Sequence, residues 1–520
     1  MPSSFRSPSP AALLWLIGPL LGGIAALLLG QDANWDLRVY HYYNPYAFLT
    51  GRLNFDILPA LNPTFYNPFL DLPVYLAAQA LPARAVGFLL GAFQGLIVPL
   101  LFAISLRLLP RESVHRTAIA LILTAVGATG AMTVAQYGAT FHDNTLAVAV
   151  LASLLLVLVV HDRALEGRSL ALPIAGAALL AGLAFGLKLT MAIYVLGFAA
   201  ALLAVLPLRL WPFAVLIAGA AGLAGALLGG GWWSWHLWKE FANPFFPHFN
   251  DVFLSPMAGP TDFRDLKFLE KLDFADRLIF PFLFTLDSWT AAEGEFRDPR
   301  LLLAFVVALP ALFVSWRADR NLRAVLLFAA VPYVLWLAMY GIYRYLLPLE
   351  ILTPAIVLAG LRCLRGNWLQ TGRIAAALSL LAAAFTLYPV FPDPMRAPWS
   401  ERFVELETAP RIADPTKTLI LLPGDRPTAF MIPHLPPQIR FVAVSDWPYL
   451  YQASDKGYEP IVRKLLQDHD GQMLALFGPQ DDERTPRVLA RFDLRLTGDC
   501  QAVKANLVPW PFRLCRVERL

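Results

Sequence analysis

The chain has 520 residues, of which 57% are hydrophobic and only 15% are charged. This balance excludes a water-soluble globular protein, whose surface needs a larger share of charged side chains. The net charge of +4 is small for the length and gives no reason to expect a nucleic-acid partner. Apolar runs of about 17 to 25 residues, long enough to cross the hydrocarbon core of a bilayer, recur until about residue 393.

These runs predict an all-α bundle of membrane-spanning helices, because lipid offers no hydrogen-bond partner to an exposed backbone. We expect about eleven spans, the first of them a retained anchor rather than a cleaved signal peptide. Residues 1–392 then form a transmembrane domain, followed by a small α/β domain of residues 393–520 outside the membrane. The predicted spans are residues 11–30, 84–108, 117–135, 144–161, 169–186, 190–207, 212–231, 300–316, 323–341, 346–362 and 374–391.

The tail differs from the rest because short apolar runs alternate with polar, helix-like stretches. Strands are expected at residues 418–422, 440–444 and 473–477, and a helix at residues 460–467. Cys500 and Cys515 also lie in the tail, where an oxidising compartment would permit a disulfide. The sequence leaves that bridge open.

Arginines occupy every second loop between the predicted spans. If the N-terminus is cytoplasmic, all inside loops carry at least one arginine, as the positive-inside rule requires. The outside then receives the long loops 31–83 and 232–299, a short loop at His142, and the tail. We therefore expect any chemistry on the outer face. The arginines of the inside loops are Arg107, Arg111, Arg116, Arg163, Arg168, Arg209, Arg317, Arg320, Arg323, Arg362, Arg365 and Arg373.

A dense polar and aromatic cluster follows the first span and contains Asp36, Arg38, Tyr40 and His41. Trp and Tyr favour the membrane interface whatever the function, so an aromatic belt accounts for the rings. It leaves Asp36 and Arg38 unexplained, which makes this cluster a candidate site for an amphiphilic ligand. Two later acidic residues of the same loop, Asp56 and Asp71, are expected to be solvated.

A second acidic position, Asp143, follows His142 in a very short outside loop. Placing a carboxylate at the bilayer boundary costs free energy unless it has an ionic partner or a function. The alternative to a functional role is that it caps the next helix. Lys188 stands between two spans with almost no loop, so its ammonium needs an anion. A lipid phosphate, Asp143 and Glu350 are the candidates.

Arg344 and Tyr345 are placed by the topology at the same outer boundary, and Glu350 falls about one turn inside the tenth predicted span. The planar guanidinium fork of Arg344 suits bidentate phosphate binding, and tyrosine rings can stack on a sugar or on the guanidinium. Snorkelling of an arginine at a helix end is the alternative.

In order and sidedness, these pieces resemble the C-type (GT-C) membrane glycosyltransferases. Asp36 and Asp143 are similar to the acidic residues in that superfamily's first and second outside loops. Gly186 to Lys188 resembles its Gly-x-Lys turn, Asn243 to Pro247 its Asn-Pro-aromatic-aromatic-Pro segment, and Arg344 to Pro348 its Arg-Tyr-x-x-Pro helix start. The resemblance covers about residues 11 to 391.

The resemblance implies a hexosyl- or pentosyltransferase in the bacterial inner membrane that builds a cell-envelope glycan. It would move a sugar from a polyprenyl-phosphate donor to a lipid, glycan or protein acceptor on the periplasmic face. Asp36 and Asp143 would be catalytic, and Lys188 and Arg344 would bind the donor phosphate. The other substrate-binding residues would be Arg38, Tyr40, His41, His142, Tyr345 and Glu350.

The resemblance leaves the cofactor open. Asp36 and Asp143 could hold a divalent cation such as Mg²⁺ or Mn²⁺, as in some members of the superfamily, or the enzyme could need none.

Three other classes compete with the enzyme. A polytopic transporter or a flippase for lipid-linked glycans would also use many spans and buried charges. A polysaccharide polymerase or ligase would also act on polyprenyl-linked sugars, and a scaffold would function through its tail. The long polar outside loops and the concentration of unusual residues on one face favour the transferase.

Overall fold

A computed structural model describes residues 10–111, 114–365, 368–390, 396–445 and 457–520. In chain order its α-helices are α1 (Pro10–Leu29), α2 (Tyr43–Leu49), α3 (Leu72–Ala80), α4 (Ala83–Gln94), α5 (Ile97–Arg107), α6 (Arg116–Gly127), α7 (Ala131–Ala135), α8 (Asp143–Leu165), α9 (Ala171–Leu187), α10 (Ala192–Val205), α11 (Trp211–Ala226), α12 (Trp232–Phe241), α13 (Asn250–Phe253), α14 (Phe274–Leu278), α15 (Phe280–Leu286), α16 (Arg300–Val314), α17 (Arg320–Met339), α18 (Leu347–Arg365), α19 (Trp368–Ala384), α20 (Tyr458–Asp468) and α21 (Thr485–Ala490). The strands are β1 (Gln31–Asp32), β2 (Glu295–Arg297), β3 (Leu387–Val390), β4 (Arg396–Ala397), β5 (Leu406–Thr408), β6 (Thr418–Leu422), β7 (Arg440–Ala443), β8 (Gln472–Phe477), β9 (Leu494–Ala505) and β10 (Phe512–Arg519).

The predicted fold class, a helical membrane bundle with a small C-terminal α/β domain, is confirmed. Each predicted span coincides with one or more helices, but the count of eleven stays a prediction. Three shorter apolar helices accompany the long ones, at Arg116–Gly127, Ala171–Leu187 and Leu189–Val205. Among the described residues, seven helices are long and apolar enough to cross a membrane: Ala12–Leu29, Ala83–Arg107, Asp143–Leu165, Leu208–Phe241, Arg300–Arg317, Arg320–Met339 and Tyr343–Leu364.

The second predicted span is interrupted, because its helix bends between α4 and α5. The bend falls at Gly95, where a Cβ atom would lie 2.2 Å from the carbonyl oxygen of Gly18 in α1. The backbones of α1 and α4 also meet at Gly22 and Gly91, where a Cβ on Gly22 would lie 2.2 Å from the Gly91 oxygen. Glycines permit this close packing between membrane helices.

The chain divides into two compact units. The helical unit comprises residues 1–29, 88–230 and 265–393, and the sheet unit comprises residues 30–87, 231–264 and 394–520. Each unit is therefore discontinuous in sequence. The division into domains at residues 392 and 393 stays a prediction about which parts fold independently.

Helix α18 is the most enclosed element of the helical unit. Ile351, Leu352 and Ala355 have no exposed surface, and α18 packs against α5, α6, α8, α16, α17 and α19. Its N-terminal end, which carries the predicted site residue Glu350 and directly follows the turn that holds Tyr345, is therefore fixed from several sides.

The sheet unit contains a six-stranded mixed sheet in the order β5-β9-β10-β8-β6-β7. Strands β8, β6 and β7 are parallel, whereas β10 pairs antiparallel with both β8 and β9. The predicted tail strands coincide with β6, β7 and β8 to within one residue, and α20 contains the predicted helix. A disulfide joins Cys500 in β9 to Cys515 in β10.

Part of the first outer loop joins the edge of this sheet. Ile57 forms a parallel bridge with Val442 in β7, and the Phe441 amide donates to Asp56 at 2.9 Å. The Arg52 guanidinium donates to both oxygens of Asp56 at 2.7 Å, and both side chains are almost fully buried. The expectation that Asp56 is solvated is therefore wrong: it is a buried ion-pair partner, because β7 covers it.

Candidate functional site

Asp143 and Lys188 form a buried ion pair in the helical unit. Asp143 is the first residue of α8 and has no exposed surface. Lys188 follows the end of α9 in an extended conformation, and its ammonium donates to Asp143 Oδ1 at 2.5 Å and to the Phe141 carbonyl at 3.0 Å. Of the two carboxylates considered as partners of Lys188, Asp143 is therefore the one that it contacts.

The helix end that precedes Lys188 lies very close to α11. A Cβ atom on Gly186 would lie 2.3 Å from the Ala226 carbonyl oxygen, so only glycine fits at this helix end. The chain then leaves the helix at Lys188, with φ −147° and ψ 116°. This supplies a structural reason for the Gly-x-Lys turn.

Arg344 and Tyr345 lie beside the same pair, in the 3₁₀ turn Tyr343–Leu346 that leads into α18. The Arg344 guanidinium carbon is 4.8 Å from the centre of the Phe141 ring and 5.4 Å from that of Tyr345. The Lys188 ammonium is 5.5 Å from the same Tyr345 ring. Both cations thus lie against the Tyr345 ring near the buried Asp143 carboxylate, and two cations in such a place favour binding of an anion.

Glu350 is fully buried, and its carboxylate accepts hydrogen bonds from protein groups. Thr133 donates to Oε1 through its amide at 2.8 Å and its hydroxyl at 2.7 Å, and the Tyr343 hydroxyl donates to Oε2 at 2.9 Å. The Thr133 carbonyl in turn accepts from the Asn144 side chain at 2.8 Å, next to Asp143. These contacts favour a positioning role for Glu350 over the predicted contact with substrate.

His142 precedes Asp143 in the left-handed conformation, with φ 63°. Burial, with a smaller effect of the Lys188 ammonium, lowers the pKa of His142 to about 3. Its imidazole is therefore neutral near pH 7 and supplies no positive charge for a phosphate. It can act there only as a hydrogen-bond donor or acceptor.

Asp36 belongs to the sheet unit, in the turn that leads from β1 to a π-helix at Leu37–His41. The turn is fixed by Asn34, whose side-chain nitrogen lies 2.8 Å and 2.9 Å from the two Asp32 oxygens. Asn34 Oδ1 accepts from the Leu37 amide at 2.8 Å. Asp32 is buried and Asp36 is half-buried, so Asp36 is the more accessible carboxylate of the two.

Arg38, Tyr40 and His41 are all buried within the sheet unit. The Arg38 guanidinium carbon lies 5.9 Å from the Trp35 ring centre, and the Tyr40 ring contacts that of His41, with centroids 4.0 Å apart. His41 Nδ1 is 2.7 Å from a carboxylate oxygen of Asp71. The expectation that Asp71 is solvated is therefore wrong, because it is a buried partner of His41.

Sequence reasoning missed three residues that shape the Asp36 turn and the surroundings of the Asp143–Lys188 pair. Asp32 was passed over although it directly follows the first span, four positions before Asp36. Gln136 donates to Asp143 at 3.5 Å, and Tyr194 donates from its hydroxyl to the Tyr345 carbonyl at 2.7 Å. Spacing along the chain gives no signal for the last two, since both contacts depend on packing.

A divalent cation shared by Asp36 and Asp143 stays a proposal with limited support. The two residues belong to different units. The Asp143 oxygen nearest to Lys188 is already neutralised by the ammonium, so a metal ion there would have to compete with a fixed cation. The Asp143 environment therefore does not fit a metal ligand.

No protein-family model and no curated protein matches the sequence. Among solved structures, the chain is similar to ArnT from Cupriavidus metallidurans bound to undecaprenyl phosphate, with a TM-score of 0.49, 12% identity and coverage of 98% of each chain. It is also similar to the Archaeoglobus fulgidus oligosaccharyltransferase in the apo form, with a TM-score of 0.46, 13% identity, and coverage of 92% of this chain and 71% of that one. At such TM-scores and identities they assign no activity to this chain, whose function depends on its own residues.

Proposed function

We propose that the protein is a membrane glycosyltransferase that moves a sugar from a polyprenyl-phosphate donor to an acceptor on the outer face of the membrane. The observation that carries the proposal is the convergence of Lys188 and Arg344 on Phe141 and Tyr345, beside the buried Asp143. A polyprenyl-linked sugar needs an anion site at the end of membrane helices, and this group provides one.

Lys188 and Arg344 would bind the donor phosphate and stabilise the charge that collects on it as the sugar leaves. Fixed cations with little water around them are most effective at that task. The Lys188 side chain is only 17% exposed, so its charge is poorly screened. The Tyr345 ring lies against both cations, and the Phe141 ring lies against Arg344.

Asp36 would act as the base. The acceptor oxygen or nitrogen forms a bond to the anomeric carbon, the bond from that carbon to the phosphate oxygen breaks, and the acceptor proton passes to the Asp36 carboxylate. Polyprenyl phosphate then leaves. Asp32 and Asn34 support this role indirectly, because their hydrogen bonds fix the turn that presents Asp36.

The outer face, in a bacterial inner membrane the periplasmic face, is proposed for two reasons. The arginines of alternate loops put the short loop at His142 and the tail on the outside. The Cys500–Cys515 disulfide fits an oxidising compartment, whereas the free Cys363 falls at the other, cytoplasmic end of α18.

The test is sugar transfer by the purified protein in liposomes, with labelled polyprenyl-phosphate sugars and an extract of bacterial membranes as the source of acceptor. The parent should convert donor to polyprenyl phosphate and labelled product, and Lys188→Ala and Arg344→Ala should reduce donor binding. A transporter or flippase would instead move the labelled lipid across the bilayer with its glycosyl bond intact. That result would refute the proposal.

A further inference from the structure

The parallel part of the C-terminal sheet has a point where its strand order reverses. From the central strand β6 the chain passes to β7 on one side, and from β7 it crosses to β8 on the other side of β6. At such a point in an open α/β sheet, the connections that follow two neighbouring strands run in opposite directions. Ligands bind there, outside the carboxyl ends of the two strands. The corresponding place here lies between the ends of β6 and β8.

The loops that follow these two strands contact each other. A Cβ atom on Gly424, after β6, would lie 2.2 Å from Asp481 Oδ2, after β8, so the Asp481 side chain packs directly on this glycine. The Arg484 guanidinium lies 2.5 Å from Asp425 Oδ2, and the Arg513 guanidinium of β10 lies 2.9 Å from Asp482. Burial, and then the neighbouring Asp425, raise the pKa of Asp481 to about 6.

The same loop also reaches the turn that carries Asp36, within the sheet unit. The guanidinium carbon of Arg426 lies 5.4 Å from the centre of the Trp35 ring, and Asp36 is the next residue along the chain. Arg426 is exposed. The end of β6 is thus tied to the loop of the proposed base.

Charge indicates which kind of ligand suits this edge. The edge carries both carboxylates (Asp425, Asp481 and Asp482) and guanidinium groups (Arg426, Arg484 and Arg513), which form the two ion pairs described above. The carboxylates would repel an anionic ligand, and the arginines would repel a cationic one. Sugar hydroxyls can donate hydrogen bonds to the carboxylates and accept them from the arginines. Trp35 adds an aromatic face.

We propose that this edge, formed by residues 424–426 and 481–484, binds the acceptor, and that the acceptor is a glycan. That the bound glycan is the acceptor depends on the proposed function, whereas the presence of a glycan site does not. It also assigns the C-terminal sheet a task, namely to hold the acceptor hydroxyl beside Asp36.

The experiment measures binding of the full-length protein, in lipid nanodiscs and without donor, to an array of bacterial oligosaccharides. Arg426→Ala should weaken binding about tenfold or more, the loss expected for one charge-assisted hydrogen bond. Arg495→Ala is the matched control, because Arg495 is an exposed arginine in β9 of the same sheet, paired only loosely with Glu518 at 4.0 Å. It should bind like the parent.

Transfer kinetics then separate the two proposals. Arg426→Ala should raise the KM for the bound glycan about tenfold and leave kcat and donor affinity within about twofold. A parent that binds no oligosaccharide, or an Arg426→Ala variant that binds like the parent, would overturn the inference even if sugar transfer is observed. A parent that binds glycan through Arg426 but transfers no sugar would refute the proposed function and keep the glycan site.

Discussion

The ion pair of Asp143 and Lys188 allows a prediction that links stability to donor binding. Asp143→Asn keeps the side-chain shape but removes the charge that faces the ammonium. Breaking a fully buried pair costs about 3 to 5 kcal/mol. The Lys188 side chain is 17% exposed and that of Asp143 is 0% exposed, so some hydration remains for the ammonium. We therefore expect a loss of about 2 to 4 kcal/mol in the free energy of unfolding.

A polyprenyl phosphate should reverse part of this loss. If Lys188 binds the donor phosphate, the phosphate becomes the counter-ion that the variant lacks. A ligand at a hundred times its Kd stabilises a protein by about 2.7 kcal/mol. In Asp143→Asn, we expect the stabilisation at equal ligand concentration to exceed that of the parent by about 1 kcal/mol, because the ammonium no longer divides its interaction between two anions.

Thermal unfolding of the purified protein in nanodiscs, with and without undecaprenyl phosphate, measures both effects. Glu293→Gln is the matched control, since it removes a carboxylate partner from Lys267, whose side chain is 44% exposed. An exposed pair contributes less than about 1 kcal/mol, so this variant should unfold like the parent. Equal stability of Asp143→Asn and the parent, together with equal stabilisation by the lipid, would refute both the buried pair and the phosphate role of Lys188.

Four further predictions follow from named contacts. Asp36→Asn should lower turnover by about 10² to 10⁴ with unchanged donor affinity and thermal stability, and full activity of the folded variant would remove Asp36 as the base. Arg344→Lys should recover only part of the donor affinity lost in Arg344→Ala, because a point charge lacks the bidentate fork; donor titrations that rank the two equally would contradict this. Asp56→Asn should destabilise the sheet unit by about 3 kcal/mol, because it leaves the Arg52 guanidinium buried without its counter-charge, and limited proteolysis at the tail should show it. Burial, and then Arg402, lower the pKa of His434 to about 4; the unfolded chain therefore takes up a proton that the folded chain does not, and stability is lost as pH falls from about 6.5 towards 4. His434→Gln should reduce the fall in stability between pH 7 and 5, by roughly 1 kcal/mol, in unfolding measurements at the two pH values.

Much of the fold could be predicted from local patterns. Long apolar runs predicted the helices, because a segment in the membrane must form its backbone hydrogen bonds within itself. Short apolar runs predicted β6, β7 and β8. The bend at Gly95 could not be foreseen, since it depends on contact with α1. Nor were β9 and β10 predicted; their pairing shifts register between Cys515 and Arg516, which interrupts the two-residue alternation that indicates a strand.

In the candidate site, too, some contacts could be predicted from the sequence and others could not. Lys188 was predicted to need an anion from its position between two spans, and charge alone made Asp143 a candidate. Asp56 and Asp71 were misjudged because their burial comes from packing. Phe441 in β7, whose amide donates to Asp56, lies 385 positions away along the chain, and the contact of His41 with Asp71 also depends on folding. Glu350 was recognised as unusual, but its hydrogen bonds with Thr133 could not be predicted, because Thr133 approaches it only through folding.

The pairing of Lys188 with Asp143 has a consequence for turnover under the proposed function. The donor is a phosphodiester with one negative charge, whereas the product, a phosphate monoester, carries about −1.5 to −2 near pH 7. Lys188 and Arg344 alone would hold the product more strongly than the donor. Asp143 offsets the charge of Lys188, which weakens the hold on the more negative product and favours its release. Asp143→Asn should therefore retain polyprenyl phosphate as an inhibitor and lower kcat even if the chemical step is intact, and a burst of product in the first turnover would separate slow release from slow chemistry.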